Sequence, residues 1–170
     1  MSFKGLDRVI TNLQRIKKSS VDIDELFIRK SLEWIATEAN KILDTRTKHF
    51  WGSDAREWNY KIYRTFGILE NQDMNSASIE FGIGRVGLYH PNTSSELATP
   101  NYEYDKPSQY KDSAGNWTFK DVRTGIWVKD FKGYEGKSFL YDAFVNYMQN
   151  RIWVKLYEEA FDEIMRKVIV

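Results

Sequence analysis

The chain has no cysteine, two histidines and three prolines in 170 residues. Without cysteine there is no disulfide framework, no thiol nucleophile and no cysteine-based zinc site. The histidines, His49 and His90, each lack a second histidine at metal-ligand spacing. Asp44 and His49 could share a ligand, but a surface histidine is the simpler reading. The formal net charge is only +1, so the electrostatic footprint of a nucleic-acid binder is missing. One short basic run, Arg15-Ile16-Lys17-Lys18, falls where a helix would end, and cations there complement the helix dipole. No apolar run is long enough for a membrane span. The segment Met1–Gly5 has no apolar stretch of the signal-peptide kind, so synthesis in the cytoplasm is expected.

Aromatic residues, by contrast, are abundant. Ten Tyr and six Trp bring the aromatic share to 15%. Two readings stay open: an aromatic-rich core, or interfaces, which favour side chains with an apolar body and a polar tip. The length fits one domain with a real core, and neither an internal repeat nor a linker divides it. Residues 1–170 are therefore read as a single domain, with residues 85–135 as a long excursion from it.

Leu6, Val9, Ile10, Leu13 and Ile16 predict an amphipathic helix over residues 5–18. Ser19-Ser20 interrupts the pattern. Asp22 or Asp24 can cap a second helix over residues 22–44, roughly 33 Å long at 1.5 Å per residue. Residues 45–55 read as a loop. Alternation from Tyr60 to Ile68 predicts a strand, Asn71-Gln72-Asp73 a turn, and Ser76–Phe81 a second strand pairing with the first as an antiparallel hairpin. The excursion holds Pro91, Pro100 and Pro107 and is polar throughout. Within it, Tyr110-Lys111 and Trp117-Thr118-Phe119 flank a glycine-containing turn and predict a hairpin, and Ile126-Trp127-Val128 predicts a short strand. A structureless loop of that length is unusual in a compact domain, so this segment is expected to reach out of the core and contact neighbours. The last helix is predicted from near Ser138 onward, with its apolar stripe widening near Ile152-Trp153-Val154. The fold class is thus α+β: N-terminal helices and a long C-terminal helix packed on a small antiparallel sheet, with an extended hairpin-bearing loop.

No motif specifies chemistry. Gly82-Ile83-Gly84-Arg85-Val86-Gly87 matches G-x-G-x-x-G, but a dinucleotide site needs that motif to open a helix, and Pro91 follows closely. The glycines are better read as positions where a strand turns sharply with positive φ. Acidic groups such as Asp22, Asp24 and Glu25, or Glu158, Glu159, Asp162 and Glu163, read as caps and solvated helix faces. G-x-S-x-G is absent, and no pair of carboxylates is singled out for glycoside hydrolysis. No catalytic residue, metal or cofactor is expected.

Two segments carry a resemblance. Asn75-Ser76-Ala77-Ser78-Ile79-Glu80-Phe81-Gly82-Ile83-Gly84 is similar to a strand ending in Glu-Phe-Gly-x-Gly. Gly136-Lys137-Ser138-Phe139-Leu140-Tyr141-Asp142-Ala143 is similar to a Gly-x-Pro-Phe-(Leu/Met)-x-Pro-Ala lead into a last helix. With Gly5-Leu6-Asp7 before an amphipathic helix, the Ile35–Ala39 helix face and the Tyr110–Trp117 hairpin, the chain resembles the tail-completion (neck) proteins of long-tailed bacteriophages. It departs from them at Ser138 and Asp142, where proline is common, and at Trp51-Gly52-Ser53 in place of a Thr-Gly-x-Leu run. The resemblance implies a structural virion protein rather than an enzyme. It implies a homo-oligomer, a hexameric ring at the head–tail junction. Its partners would be the connector or stopper above and the tail terminator or tail tube below. DNA would pass through the channel without sequence-specific binding. No membrane is involved, and assembly would occur in the host bacterial cytoplasm. A tail terminator or other minor tail protein is the nearest alternative. A small carbohydrate-binding module, with Trp51, Trp58, Trp117 and Trp127 lining a groove, is a more distant one. The residues expected to carry structure and contacts are Glu80, Phe81, Gly82, Gly84, Phe139, Leu140, Trp117 and Trp127, with Phe81 and Phe139 joining the strand to the last helix in the core.

Overall fold

The computed structural model describes residues 4–46, 57–72, 76–83, 86–87, 97, 117–120 and 124–168. Among these the chain is α+β, with a long N-terminal helix, helices at the C-terminal end and small antiparallel sheets. The elements are α1 (Lys4–Arg46), β1 (Trp58–Ile62), β2 (Gly67–Asn71), α2 (Ser76–Phe81), β3 (Gly82–Ile83), β4 (Trp117–Lys120), β5 (Trp127–Phe131), β6 (Tyr134–Glu135), α3 (Phe139–Gln149) and α4 (Ile152–Val168). The described strands form three two-stranded sheets, β1-β2, β3-β6 and β4-β5, where a single sheet was expected.

The chain divides into two compact units. Unit 1 comprises Met1–Ala39, Trp58–Asn71 and Ala143–Val170, and unit 2 comprises Asn40–Glu57 and Gln72–Asp142.

In unit 1, the two expected N-terminal helices are one. Ser19 and Ser20 do not break it, because their hydroxyls donate back to the carbonyls of Arg15 (3.0 Å) and Lys17 (2.9 Å), a bond compatible with a continuing helix. Asp22 and Asp24 are therefore mid-helix residues rather than caps. The buried positions Ile23, Leu32, Ile35, Ala36 and Ala39 follow the helical stripe. The predicted strand from Tyr60 to Ile68 folds back on itself. β1 pairs with β2 in antiparallel register, from Trp58 opposite Asn71 to Ile62 opposite Gly67, and the Tyr63 amide donates to the Phe66 carbonyl (2.8 Å) across the turn. This arrangement gives the backbone groups of both halves partners, which one isolated strand would not have. Gly67 is where the hairpin meets α1: a Cβ there would stand 2.6 Å from Ile28 Cγ2 and 2.8 Å from Leu32 Cδ1. The last helix is also interrupted. Arg151 adopts φ 52°, its amide reaches back to the Met148 carbonyl, and a fresh helix starts at Ile152. A non-glycine residue in the left-handed region ends a helix as glycine commonly does. The widening of the apolar stripe near Ile152 is the trace of that break. Tyr147, on α3, buries its ring and donates from its hydroxyl to Ser31 Oγ on α1 (2.8 Å). Phe27 and Tyr157 meet edge to face, with centroids 5.4 Å apart.

In unit 2, β4 pairs with β5, whose Trp127 and Val128 lie where a short strand was expected. Between the Trp117–Phe131 and Phe119–Val128 pairs, β5 holds one residue more than β4, and Asp130 takes φ 57° there. That is a β-bulge. The partner expected for Trp117–Phe119, Tyr110-Lys111, lies outside the described residues, as do most of residues 88–116 and residues 47–56.

Ser76–Phe81 is helical, not a strand. The alternation of Ala77, Ile79 and Phe81 suggested period two, yet Ser78, Ile79 and Glu80 are buried in succession, which a strand with one buried face would not permit. Of the six residues only Ile79 is β-branched, and Ala and Glu favour helix. Phe81, expected in the core, is half-buried, whereas Phe139 is fully buried.

Candidate functional site

The two segments that carry the resemblance come together in unit 2 as a reciprocal clasp. Every helix end leaves backbone groups without intrahelical partners. At the end of α2, the carbonyls of Ile79 and Glu80 accept the amides of Lys137 (2.7 Å) and Ser138 (3.2 Å). At the start of α3, the amides of Leu140 and Tyr141 donate to Glu80 Oε2 (2.9 Å) and Oε1 (3.0 Å). Each helix end thus satisfies the other. A Ser, Thr, Asp or Asn at the cap position ordinarily supplies the oxygen for such amides. Here a glutamate 60 residues upstream supplies both oxygens, and its charge also suits the positive end of the helix. Glu80 is only 6% exposed. A buried carboxylate needs such partners to remain stable without water.

Glycines let the backbones close in. Gly82 has φ 88°, and a Cβ on it would lie 2.5 Å from the Gly136 nitrogen and 2.8 Å from the Tyr134 oxygen. Gly82 pairs with Glu135, and Ile83 with Tyr134, in the β3-β6 ladder. Gly87 packs with similar closeness against Gly82 and Tyr134, and the Val86 amide donates to the Lys132 carbonyl (3.0 Å). The glycine-rich motif is therefore a close-packing device, as its reading as a sharp turn implied at Gly82. Gly84 lies outside the described residues.

Arg46, the last residue of α1, completes the clasp. Its guanidinium pairs with Asp142 Oδ2 (2.6 Å) and donates to the carbonyls of Lys137 and Ser138. Asp142 sits in the first turn of α3, where an acidic side chain is favoured, and its amide makes the first helical bond to the Ser138 carbonyl (3.0 Å). Ser138 has φ 46°. Proline, fixed near −65°, cannot take that conformation, and proline at 142 would lack the bonding amide. The two departures from the phage pattern thus each answer a requirement of this backbone. Of the residues that sequence reasoning singled out, Glu80 bonds the Leu140 amide, Gly82 lies against Gly136 and Tyr134, and Phe139 is buried beside them in sequence at the start of α3. That reasoning missed Arg46, for which no local signal exists.

The remaining expected contact residues do not gather. Trp127 is 52% exposed on β5, Trp117 is placed on β4 by its backbone, and Trp58 is half-buried in the unit 1 hairpin. Trp51 lies outside the described residues, as do His49 and His90. Among the described residues no three carboxylates or histidines stand close enough to hold a metal ion. An open groove of about 470 Å³ in unit 1 is lined by Lys30, Glu159, Asp162, Glu163, Arg166 and Lys167. Ion pairs line it: Lys30 on α1 reaches Glu163 on α4 (3.6 Å), and Lys167 reaches Glu163 along α4 itself (3.1 Å). The Lys167 hydrogen bond, ahead of other causes, holds the Glu163 carboxyl below its ordinary range. This is a solvated network of alternating charge, with no convergent set of groups for catalysis.

What these features define is a class: an α+β protein in which a buried polar cluster fastens helix ends to each other. No described helix is long and apolar enough to cross a membrane. Comparison of the chain with protein-family models, curated proteins and solved structures returns no match.

Proposed function

We propose that this chain is a structural virion protein, a ring-forming tail-completion or neck component of a long-tailed bacteriophage. It would assemble as a homo-oligomer, a hexameric ring, between the head connector and the tail tube, with DNA passing through its channel. The observation that carries the reading is the clasp. The Glu80-Phe81-Gly82 and Gly136–Ala143 segments resemble that family separately, and they form one interlocked unit through Glu80, Gly82 and the start of α3. A backbone device of this kind explains why two distant motifs would occur together.

Large apolar side chains left in solvent add support. Val9 with Leu13, and Phe144 with Met148, are exposed pairs one helical turn apart, and contiguous apolar surface marks sites of association. The test is direct. Purified protein should give ring-shaped particles in negative-stain electron microscopy. Mass spectrometry of mature particles encoded by the same genome should detect the chain in the virion. A protein that stays monomeric and is missing from the particles would end this reading.

A further inference from the structure

Unit 1 leaves two apolar helix faces uncovered. The first is the start of α1. Val9, Leu13 and Lys17 form one i, i+4 row with Ile10 and Ile16 beside it. Val9 is 52% exposed, Leu13 is 60% exposed, and from residue 9 on α1 has no buried residue before Ser19. An amphipathic helix gains most of its stability from packing its apolar face, so this stretch calls for a partner. The second face is on α4. Its apolar arc begins at the buried Leu156 and Ala160 and continues through Trp153, Tyr157 and Phe161, all exposed. Leu156 and Ala160 are packed, Tyr157 touches Phe27 with one edge and exposes the rest, and Trp153 and Phe161 flank it in solvent.

Charge distinguishes what can cover each face. Lys4–Ser20 carries five basic residues and one acidic, whereas Ile152–Glu163 carries four acidic residues and one basic. Among the described residues, Lys17 and Lys18 on α1 and Glu158 and Asp162 on α4 make no ion pair. Like faces from two copies would set like charges together, and such juxtaposition is costly. Unlike faces match in both apolarity and charge.

We propose that the start of α1 in one copy docks on the Trp153–Tyr157–Phe161 face of α4 in the next copy, head to tail. The proposal rests on the ring-forming reading above and names its contact. A heterologous interface of this kind generates rings when its rotation closes. Lys17 lies within the apolar row of α1, and Glu158 borders the arc of α4 one turn before Phe161, so the two charges meet at the rim of the contact.

Blocked-face variants test this by light scattering on the full chain. Leu13→Glu alone and Phe161→Glu alone should each collapse the parent oligomer to the 20.1 kDa monomer. Each variant keeps one intact face, so an equimolar mixture should form a 1:1 dimer. Charge reversal provides a second arm that leaves the apolar surface untouched. Lys17→Glu with Lys18→Glu should weaken assembly at least about tenfold, and adding Glu158→Lys with Asp162→Lys should restore it. Circular dichroism equal to the parent shows that a variant has folded. If the parent forms rings and the folded variants form them equally well, the α1–α4 contact is refuted while the ring reading stands. Monomeric variants whose mixture yields no dimer also refute it. A parent that never assembles removes both.

Discussion

Glu80 shows how much one side chain can be asked to do. Its two oxygens serve two amides at the start of α3, and its own carbonyl serves Ser138. Glu80→Gln keeps the shape but replaces one acceptor with a donor that faces an N–H. Leaving a buried amide unsatisfied costs about 1–3 kcal/mol. The urea midpoint should fall accordingly, and an unchanged midpoint would show that the capping bonds contribute nothing. Gly82 and Gly125 make a matched comparison, since both have positive φ (88° and 69°). A Cβ at Gly125 meets nothing within 4 Å, whereas at Gly82 it meets backbone at 2.5 Å. Gly125→Ala should cost only the left-handed penalty of about 1–2 kcal/mol. Gly82→Ala should cost clearly more, because the β3-β6 ladder would have to part, and thermal melts of the two variants would rank them. Equal losses would mean that the close approach at Gly82 does not matter.

At the scale of elements, Phe139 is the apolar counterpart of the clasp. It opens α3 and is fully buried. Phe139→Ala should destabilise by about 3–5 kcal/mol, the usual cost of emptying an aromatic core site. Phe81→Ala should cost less, since Phe81 is half-buried. A chemical denaturation series with both variants checks the order. The elements were unequally legible in the sequence. The stripe of α1 could be read from Leu26 to Leu43, because a single buried face enforces the period. Its continuity through Ser19 could not, because serine either caps a helix or bonds back into one, and the choice depends on flanking packing. Helix α2 was hidden because six residues are too few for a period to show itself, and its conformation is fixed by bonds to residues 137–141. The break at Arg151 left only a drift in the stripe. The clasp was half legible. Its glycines and Glu80 stood out as a motif, but Arg46 depends on Asp142, 96 positions away, and nothing local announces it.

For the whole molecule, alkaline pH offers a probe of integrity. Burial raises the pKa of Tyr147 above its ordinary 10.0, with the Ser31 hydrogen bond acting the other way. Burial and then the nearby Glu33 carboxylate raise that of Tyr60. A raised folded-state pKa means that stability is full below pH 10 and is lost as pH rises through the folded value, since the unfolded chain ionises first. Denaturation midpoints should therefore fall above pH 10, and Tyr147→Phe should flatten part of that decline. A Tyr147→Phe profile parallel to the parent's would show that this phenol is not held neutral by the fold.

The interleaving of the two units has a consequence for biosynthesis. Unit 1 draws on Met1–Ala39, Trp58–Asn71 and Ala143–Val170, so the helical partners of α1 are made only after residues 72–142 of unit 2. At about 5–20 residues per second, α1 waits on the order of 5–20 s between leaving the ribosome and meeting α3 and α4. Throughout that delay its apolar stripe faces the crowded polysome, where sibling chains present the same stripe. The net positive charge of Lys4–Ser20 would keep such nascent helices apart by mutual repulsion. The charge proposed to select partners between copies would then also guard against premature pairing during synthesis.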